Sequence, residues 1–241
     1  MDLPLITCVC VSKGRPGFLR RAVERFQAQT YPNKDLVIVY EDGSASSNPC
    51  VSNKEIKFVR LHNGSELTLG ERRNISIQHC TGAYFCQWDD DDWYHNRRLE
   101  IQLNALVQSG RPACALSRLI LYDGIKHAAY LSSQRYWEGS ILCRTDLITE
   151  AIRYPHVNRS EDNSLLVNLV QRDYVRPLSA PYLYAYYYHG GNTWDRNHFD
   201  LLFQAGYPLD QNANDILQRI FLNDESYEAS DKVERLNFDV L

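Results

Sequence analysis

The chain has 241 residues, of which 44% are hydrophobic and 23% charged, the balance of a folded globular protein with a sizeable core. Its net charge of -4 provides no broad basic field for a nucleic-acid backbone, so nucleic acid is not an expected partner, and an anionic ligand must be met by a metal or a few local cations. No apolar run approaches the ~20 residues that cross a bilayer, so the chain is expected to be soluble and cytoplasmic, with peripheral membrane association left open.

Residues 1–11 lack a positive n-region and a cleavage site and read as a strand, not a signal peptide. Residues 5–11 form a continuous apolar run, as in a strand buried on both faces of a parallel sheet. Residues 16–29 follow with Phe18, Leu19, Ala22, Val23 and Phe26 at helical spacing and Pro16 in the first turn. Residues 36–40 predict a second strand, closed by the turn chemistry of Glu41-Asp42-Gly43-Ser44, and residues 58–61 a third. A helix is predicted over 70–80, a fourth strand over 84–88, and a helix over 96–109 with Leu99, Leu103 and Leu106 on one stripe. This alternation argues for βαβ units and an α/β nucleotide-binding sheet.

The second half is less regular. Residues 113–122 read as one strand, Asp123-Gly124 as a hairpin turn and 127–131 as its return. A helix is predicted over 164–170 and an aromatic-rich strand over 182–188, and the polar stretch from 223 reads as a loosely packed end. The expected organisation is a single domain over 1–241, with a regular first half (1–110), a less regular second half (111–225) and a tail (226–241). Five of the seven cysteines (8, 10, 86, 114 and 143) fall in strand-like runs with no zinc spacing, which reads as buried free thiols.

The strongest chemical signal is Trp88-Asp89-Asp90-Asp91-Asp92-Trp93. Four adjacent carboxylates repel one another, and a bound cation relieves the repulsion. Hard divalent ions such as Mn²⁺ or Mg²⁺ take oxygen ligands and leave positions open for phosphate. Strand ends of an open α/β sheet are also where ligands bind. A solvated acidic loop is the alternative. Glu41-Asp42 offers a carboxylate to a base or ribose, or is an ordinary turn. Arg72-Arg73 opens a helix, where an arginine can hold a ribose-side aspartate or face a diphosphate, or lie on the surface.

Taken together and in this order, these elements resemble family 2 glycosyltransferases of the GT-A fold. The opening Ile6-Thr7-Cys8-Val9-Cys10-Val11-Ser12 is similar to the family's first strand, and Glu41-Asp42-Gly43-Ser44 to its Asp-Asp-Gly-Ser with Glu for the first Asp. Arg72-Arg73-Asn74 through Gly82-Ala83-Tyr84 resembles its Ala-Arg-Asn…Gly-Glu-Tyr segment, and Asp89-Asp90-Asp91 its DxD motif. The resemblance implies an α/β fold with a central, mostly parallel sheet flanked by helices and a smaller, irregular acceptor-side region, with residues 1–110 as the nucleotide-sugar-binding half and 111–225 as the acceptor-binding half. It implies a nucleobase contact at Asp42, with Thr7 and Ser12 nearby, and places Arg73 near the base and a ribose-side carboxylate. Asp89 would lie by the ribose, Asp90 in the variable middle position and Asp91 on a divalent metal. Trp137-Glu138-Gly139-Ser140 resembles the turn below the donor sugar. Glu161-Asp162 resembles the Glu-Asp pair whose second carboxylate is the base of inverting members, although helix N-cap chemistry also fits it. His189, ahead of Gly190-Gly191, resembles a late metal ligand; a structural histidine is the other reading.

The implied activity is metal-dependent transfer from a nucleotide-sugar, a UDP-sugar by resemblance, to a carbohydrate or lipid-linked acceptor hydroxyl in polysaccharide or glycoconjugate synthesis. A sugar-1-phosphate nucleotidyltransferase would carry a Gly-rich loop and a basic residue after the first strand, of which Ser12-Lys13-Gly14-Arg15-Pro16-Gly17 is a poor version. A non-catalytic carbohydrate- or nucleotide-binding protein of the same fold would not need Asp42, Asp89, Asp91 and Asp162 together.

Overall fold

The structure, a computed structural model, describes residues 3–41, 54–61, 66–149, 151–222 and 229–238. Strand β1 (Ile6–Ser12) is buried at every residue except Val11, as its unbroken apolar run predicts. It pairs in parallel with β2 (Lys34–Glu41) on one side and β4 (Tyr84–Gln87) on the other, and β3 (Ile56–Leu61) extends the sheet beyond β2. On the far side of β4 lie β9 (Leu142–Arg144), which is antiparallel to its neighbours, then β6 (Ala113–Leu116) and β10 (Val175–Leu178). The order of this seven-stranded sheet is β10-β6-β9-β4-β1-β2-β3.

Alternate side chains of the sheet point to opposite layers. Cys8, Cys10, Leu36, Ile38 and Cys86 pack with Leu19, Val23 and Phe26 of α1 (Pro16–Gln27) and with Leu99, Leu103 and Leu106 of α3 (Arg98–Ser109). Val9, Phe85 and Cys143 pack on the other face with Ile77 of α2 (Leu69–Gln78) and Leu165, Leu166 and Leu169 of α4 (Glu161–Gln171). Cys8, Cys10, Cys86, Cys114 and Cys143 are buried and unpaired, as expected.

The region expected to be irregular contributes most of a second sheet. Its order is β12-β8-β7-β11-β5, from β12 (Tyr207–Pro208), β8 (Ala128–Leu131), β7 (Ile120–Asp123), β11 (Tyr184–Tyr188) and β5 (Trp93–Tyr94). Helix α5 (Arg196–Ala205) lies beyond β11; α6 (Gln211–Leu222) and α7 (Ser230–Glu234) cover the sheet through Ile216, Ile220, Phe221 and Val233. Two sequence expectations change here. Residues 113–122 are two strands, β6 and β7, in different sheets. The chain crosses between them at 117–119, where Ser117 N–H bonds Leu178 O at 2.9 Å and Leu119 N–H bonds Ser132 Oγ at 3.0 Å. Both strands are buried, and the polar pair Ser117-Arg118 between them marks the break. The polar end is also not loose throughout: Val233 and Leu236 are buried against α6.

β1, β2 and β4 are parallel, so their carboxyl ends share one edge, the ligand-binding side of an open α/β sheet. The chain leaves β4 there and crosses to β5, so residues 88–92 lie on the seam between the two sheets.

Candidate active site

Successive side chains along 89–92 turn in alternate directions. Asp90 and Asp92 are buried, whereas the Asp89 and Asp91 side chains keep 22% and 13% of their exposure. Asp90 accepts from the Ser12 hydroxyl at 2.6 Å and from Arg15; burial, and then the Asp91 charge, raise its pKa to about 7. Asp92 accepts from the Tyr184 hydroxyl at 2.5 Å and the Tyr187 N–H at 3.0 Å, and its main-chain carbonyl from buried Arg25. Burial and the charges of Asp91 and Asp89 push Asp92 well above the usual carboxylate range. Asp91 accepts from Arg15 at 2.7 Å and lies 3.2 Å from His189 Nε2. Burial alone would raise it, but the His189 hydrogen bond and the Arg15 charge outweigh burial and hold it low. Repulsion in the run is thus relieved by burial that raises the pKa of the two inward carboxylates and by an arginine against each outward one, Arg73 on Asp89 and Arg15 on Asp91.

Asp89 accepts from Gln87 at 3.0 Å and from Arg73 Nη1 at 2.9 Å. Arg73 lies on α2, whose start is fixed by a capping box in which Thr68 and Glu71 satisfy each other's backbone N–H. Its Nε donates to Glu161 at 2.9 Å, joining the aspartate run to the first turn of α4. Burial opposes the charge on Arg73, but Asp89 and Glu161 prevail and raise its pKa well above the ordinary arginine value.

Three cavities share walls along the seam. One of about 280 Å³ is lined by Asp89, Trp137, Glu138, Gly139, Asp162 and Trp194. The next, about 120 Å³, also touches Asp89, Asp162 and Trp194, and adds Arg15, Asp91 and Arg159. The third, about 480 Å³, includes Lys13, Arg15, Thr68, Arg72, Asn158 and Asn192. Gly139 has no room for a side chain: a Cβ there would lie 2.8 Å from the Tyr184 hydroxyl. Glu138 is held by two 2.5 Å bonds from Arg135, while its burial raises its pKa.

The structure therefore gathers Arg73, Asp89, Asp90, Asp91, Trp137, Glu138, Gly139, Glu161, Asp162 and His189 at the seam. One expected base contact lies elsewhere. Thr7 sits near the start of β1, a strand's length from the site, where its buried hydroxyl accepts the Gly82 N–H at 3.0 Å. Ser12, at the carboxyl end of β1, donates its hydroxyl to Asp90 at 2.6 Å and so lies at the seam. Asp42 lies outside the described residues; beside it, Glu41 pairs with Arg72 and, at 3.7 Å, with Lys13.

The chain matches the model of Glycosyl transferase family 2 over residues 7–162. It belongs to that family. An uncharacterized glycosyltransferase of Rickettsia typhi is 27% identical over 139 residues, covering 55% of this chain and 42% of that protein. This family 2 chain spans less than half the length of the curated relatives it matches. Among solved structures, S. aureus TarS 1-349 in complex with UDP-GlcNAc superimposes with a TM-score of 0.60 at 13% identity, over 90% of this chain and 71% of that one. Mannosyltransferase PcManGT from Pyrobaculum calidifontis, in complex with GDP-Man and Mn²⁺, gives 0.56 at 14% identity, over 75% and 55%. These likenesses establish the GT-A-type α/β fold.

The donor atoms of this family 2 site suit a divalent metal in part. Among the described residues no cluster of three His, Cys, Asp or Glu side chains is arranged to hold one. Asp91 and His189 form a pair of the right donor type, and a metal held by one carboxylate and one imidazole completes its shell from phosphate oxygens and water. Gly191 N–H donates to His189 Nδ1 at 3.3 Å, so the ring proton is assigned to Nε2, facing Asp91. Ligation through Nε2 requires the other tautomer and the release of that Gly191 bond.

Sequence reasoning missed Arg15, Arg135, Arg159, Trp194 and His198. Arg15 is adjacent to Pro16 and so to the first turn of α1, at the carboxyl end of β1; that was the available signal. The others lie on connecting segments or in the α5 region, where no spacing singles them out.

Proposed function

We propose that the chain transfers a glycosyl group from a nucleotide-sugar to an acceptor hydroxyl, with inversion. The observation that carries this is the wall shared by the two smaller cavities. Asp162 and Asp89 line both, and the Trp137-to-Gly139 turn lies on one side with Asp91 on the other. A base and a diphosphate site then face a common point where an anomeric carbon can sit. Asp162 takes the proton of the acceptor hydroxyl. The acceptor oxygen forms a bond to the anomeric carbon, and the bond from that carbon to the diphosphate oxygen breaks, its electron pair leaving with the nucleoside diphosphate. An α-linked donor gives a β-linked product.

Asp91 and His189 would hold a divalent metal, Mn²⁺ or Mg²⁺, which when bound supplies positive charge next to the leaving diphosphate. Arg73 fixes Asp89 on the ribose side. A UDP-sugar donor is supported by family membership and by the UDP-GlcNAc complex of TarS. In the single-domain reading, residues 1–110 serve the donor and 111–225 a carbohydrate or lipid-linked acceptor. No helix among the described residues is long and apolar enough to cross a membrane.

The test is release of nucleoside diphosphate from a panel of UDP-sugars and GDP-mannose with Mn²⁺. Release from one donor, stimulated by an acceptor, is expected. Pyrophosphate formed from a nucleoside triphosphate and a sugar-1-phosphate would instead make the chain a nucleotidyltransferase. Nucleotide binding with no release from any donor would make it a binding protein.

A further inference from the structure

The 120 Å³ cavity is lined by six carboxylates, at 89–92, 161 and 162, and by three guanidinium groups, Arg15, Arg73 and Arg159. Two of the three are committed. Arg15 spans Asp90 and Asp91, and Arg73 spans Asp89 and Glu161. Arg159 makes no hydrogen bond or ion pair with the described residues. Its guanidinium lies over the face of Trp194, 5.2 Å from the ring centroid. His198 stacks on Trp194 as well, 4.4 Å away and within 16° of parallel, so the indole serves as a support for two nitrogen-bearing groups. Stacking of this kind leaves the in-plane N–H fork of an arginine free to donate.

The backbone around Arg159 is pinned from outside. Gly70 N–H bonds Val157 O at 3.0 Å, and Leu69 N–H bonds the Asn158 side-chain carbonyl at 3.0 Å, so residues 157–158 are tied to the first turn of α2. Ser160, at φ 60°, then turns the chain into α4. Arg159 thereby lines the cavity that Arg73, Glu161 and Trp194 also line, with no donor committed to a described residue.

We infer that Arg159 binds the diphosphate of the nucleotide-sugar and holds it as the sugar departs. This rests on the glycosyltransferase reading above and adds the residue that recognises the donor's phosphates. A diphosphate entering a cavity with so many carboxylates needs positive charge beyond what Arg15 and Arg73 already spend, and the planar fork of Arg159 matches two phosphate oxygens at once. Trp194 is a positioning residue that keeps the fork in place.

Calorimetry of wild type, Arg159→Gln and Arg159→Lys with UDP, GDP and uridine, each with Mn²⁺ and with a chelator, tests this. In Arg159→Gln, affinity for the diphosphate that wild type prefers should fall about tenfold or more, as for a lost charge-assisted hydrogen bond. The loss should appear with and without metal, uridine affinity should not change, and Arg159→Lys should recover part of it. Unchanged diphosphate affinity in Arg159→Gln, or an equal loss for uridine, would overturn the assignment and leave Arg159 as packing for Trp194. If wild type binds neither diphosphate under any condition, the glycosyltransferase reading falls, and this inference falls with it.

Discussion

Asp162 lies in the first turn of α4 with its Oδ1 accepting the next residue's N–H at 2.9 Å, an arrangement an asparagine side chain reproduces. Asp162→Asn therefore tests proton acceptance with little change of shape. Transfer should drop by roughly 10²- to 10⁴-fold while nucleotide affinity holds; turnover at the wild-type rate would reduce the residue to a helix start. Asp91 and His189 call for a different readout. Asp91→Ala should abolish Mn²⁺-dependent diphosphate binding in a folded protein, and His189→Ala should weaken binding only when Mn²⁺ is present. Equal losses for His189→Ala in Mn²⁺ and in chelator would make it a structural histidine. At this scale the sequence was legible where residue type and strand position together imply chemistry: acidic side chains at the end of β4, and an arginine able to hold Asp89. It misled at Thr7. A hydroxyl in β1 reads the same whether it faces a ligand, a backbone N–H or another side chain, and only the fold separates these.

Helix α2 and the loop at 154–158 approach closely enough to exclude a side chain between them. A Cβ on Gly70 would lie 1.8 Å from the main-chain oxygen of Pro155, an obstacle that no rotamer change removes. Gly70→Ala should destabilise the protein by about 1–3 kcal/mol or more, as overpacked positions do, with a melting temperature several degrees lower. Because this contact also sets α2 against residues 157–158, diphosphate binding should weaken more than uridine binding; full stability in Gly70→Ala would refute the close approach. Elements of the first half were readable because buried parallel strands and amphipathic helices leave different periods. The second half was harder: only the polar pair Ser117-Arg118 separates β6 from β7, and the Leu119 N–H at the break is met by the side chain of Ser132, thirteen residues away. The second sheet also includes strands of two residues, β5 and β12, too short to show a period.

Across the molecule, α7 closes onto the residues after β5. His95 is fully buried; its Nδ1 accepts the Arg97 N–H at 3.1 Å and its Nε2 faces Glu234 at 3.4 Å. Burial lowers its pKa from 6.5 despite the opposing pull of Glu234. The unfolded chain then takes up this proton first, so the stability His95 contributes is present above pH 6.5 and lost as pH falls toward its lower folded value. In denaturant unfolding, wild type should lose its advantage over His95→Asn, which keeps an acceptor for Arg97, between pH 7.5 and 5. The difference between the two isolates His95 from Asp92 and Glu138, whose raised pKa values give the opposite slope. A constant difference across that range would exclude the linkage. The family match stops at residue 162, yet Asp92 is completed by Tyr184 and by the main-chain N–H of Tyr187. Every amino acid except proline offers that N–H, so the contact imposes no side-chain signature and is invisible to comparison by residue type. Position 187, whose ring also stacks on Phe221 and Tyr122, should therefore accept phenylalanine and reject proline, a contrast that separates the main-chain contact from the ring's packing when the two variants are melted side by side.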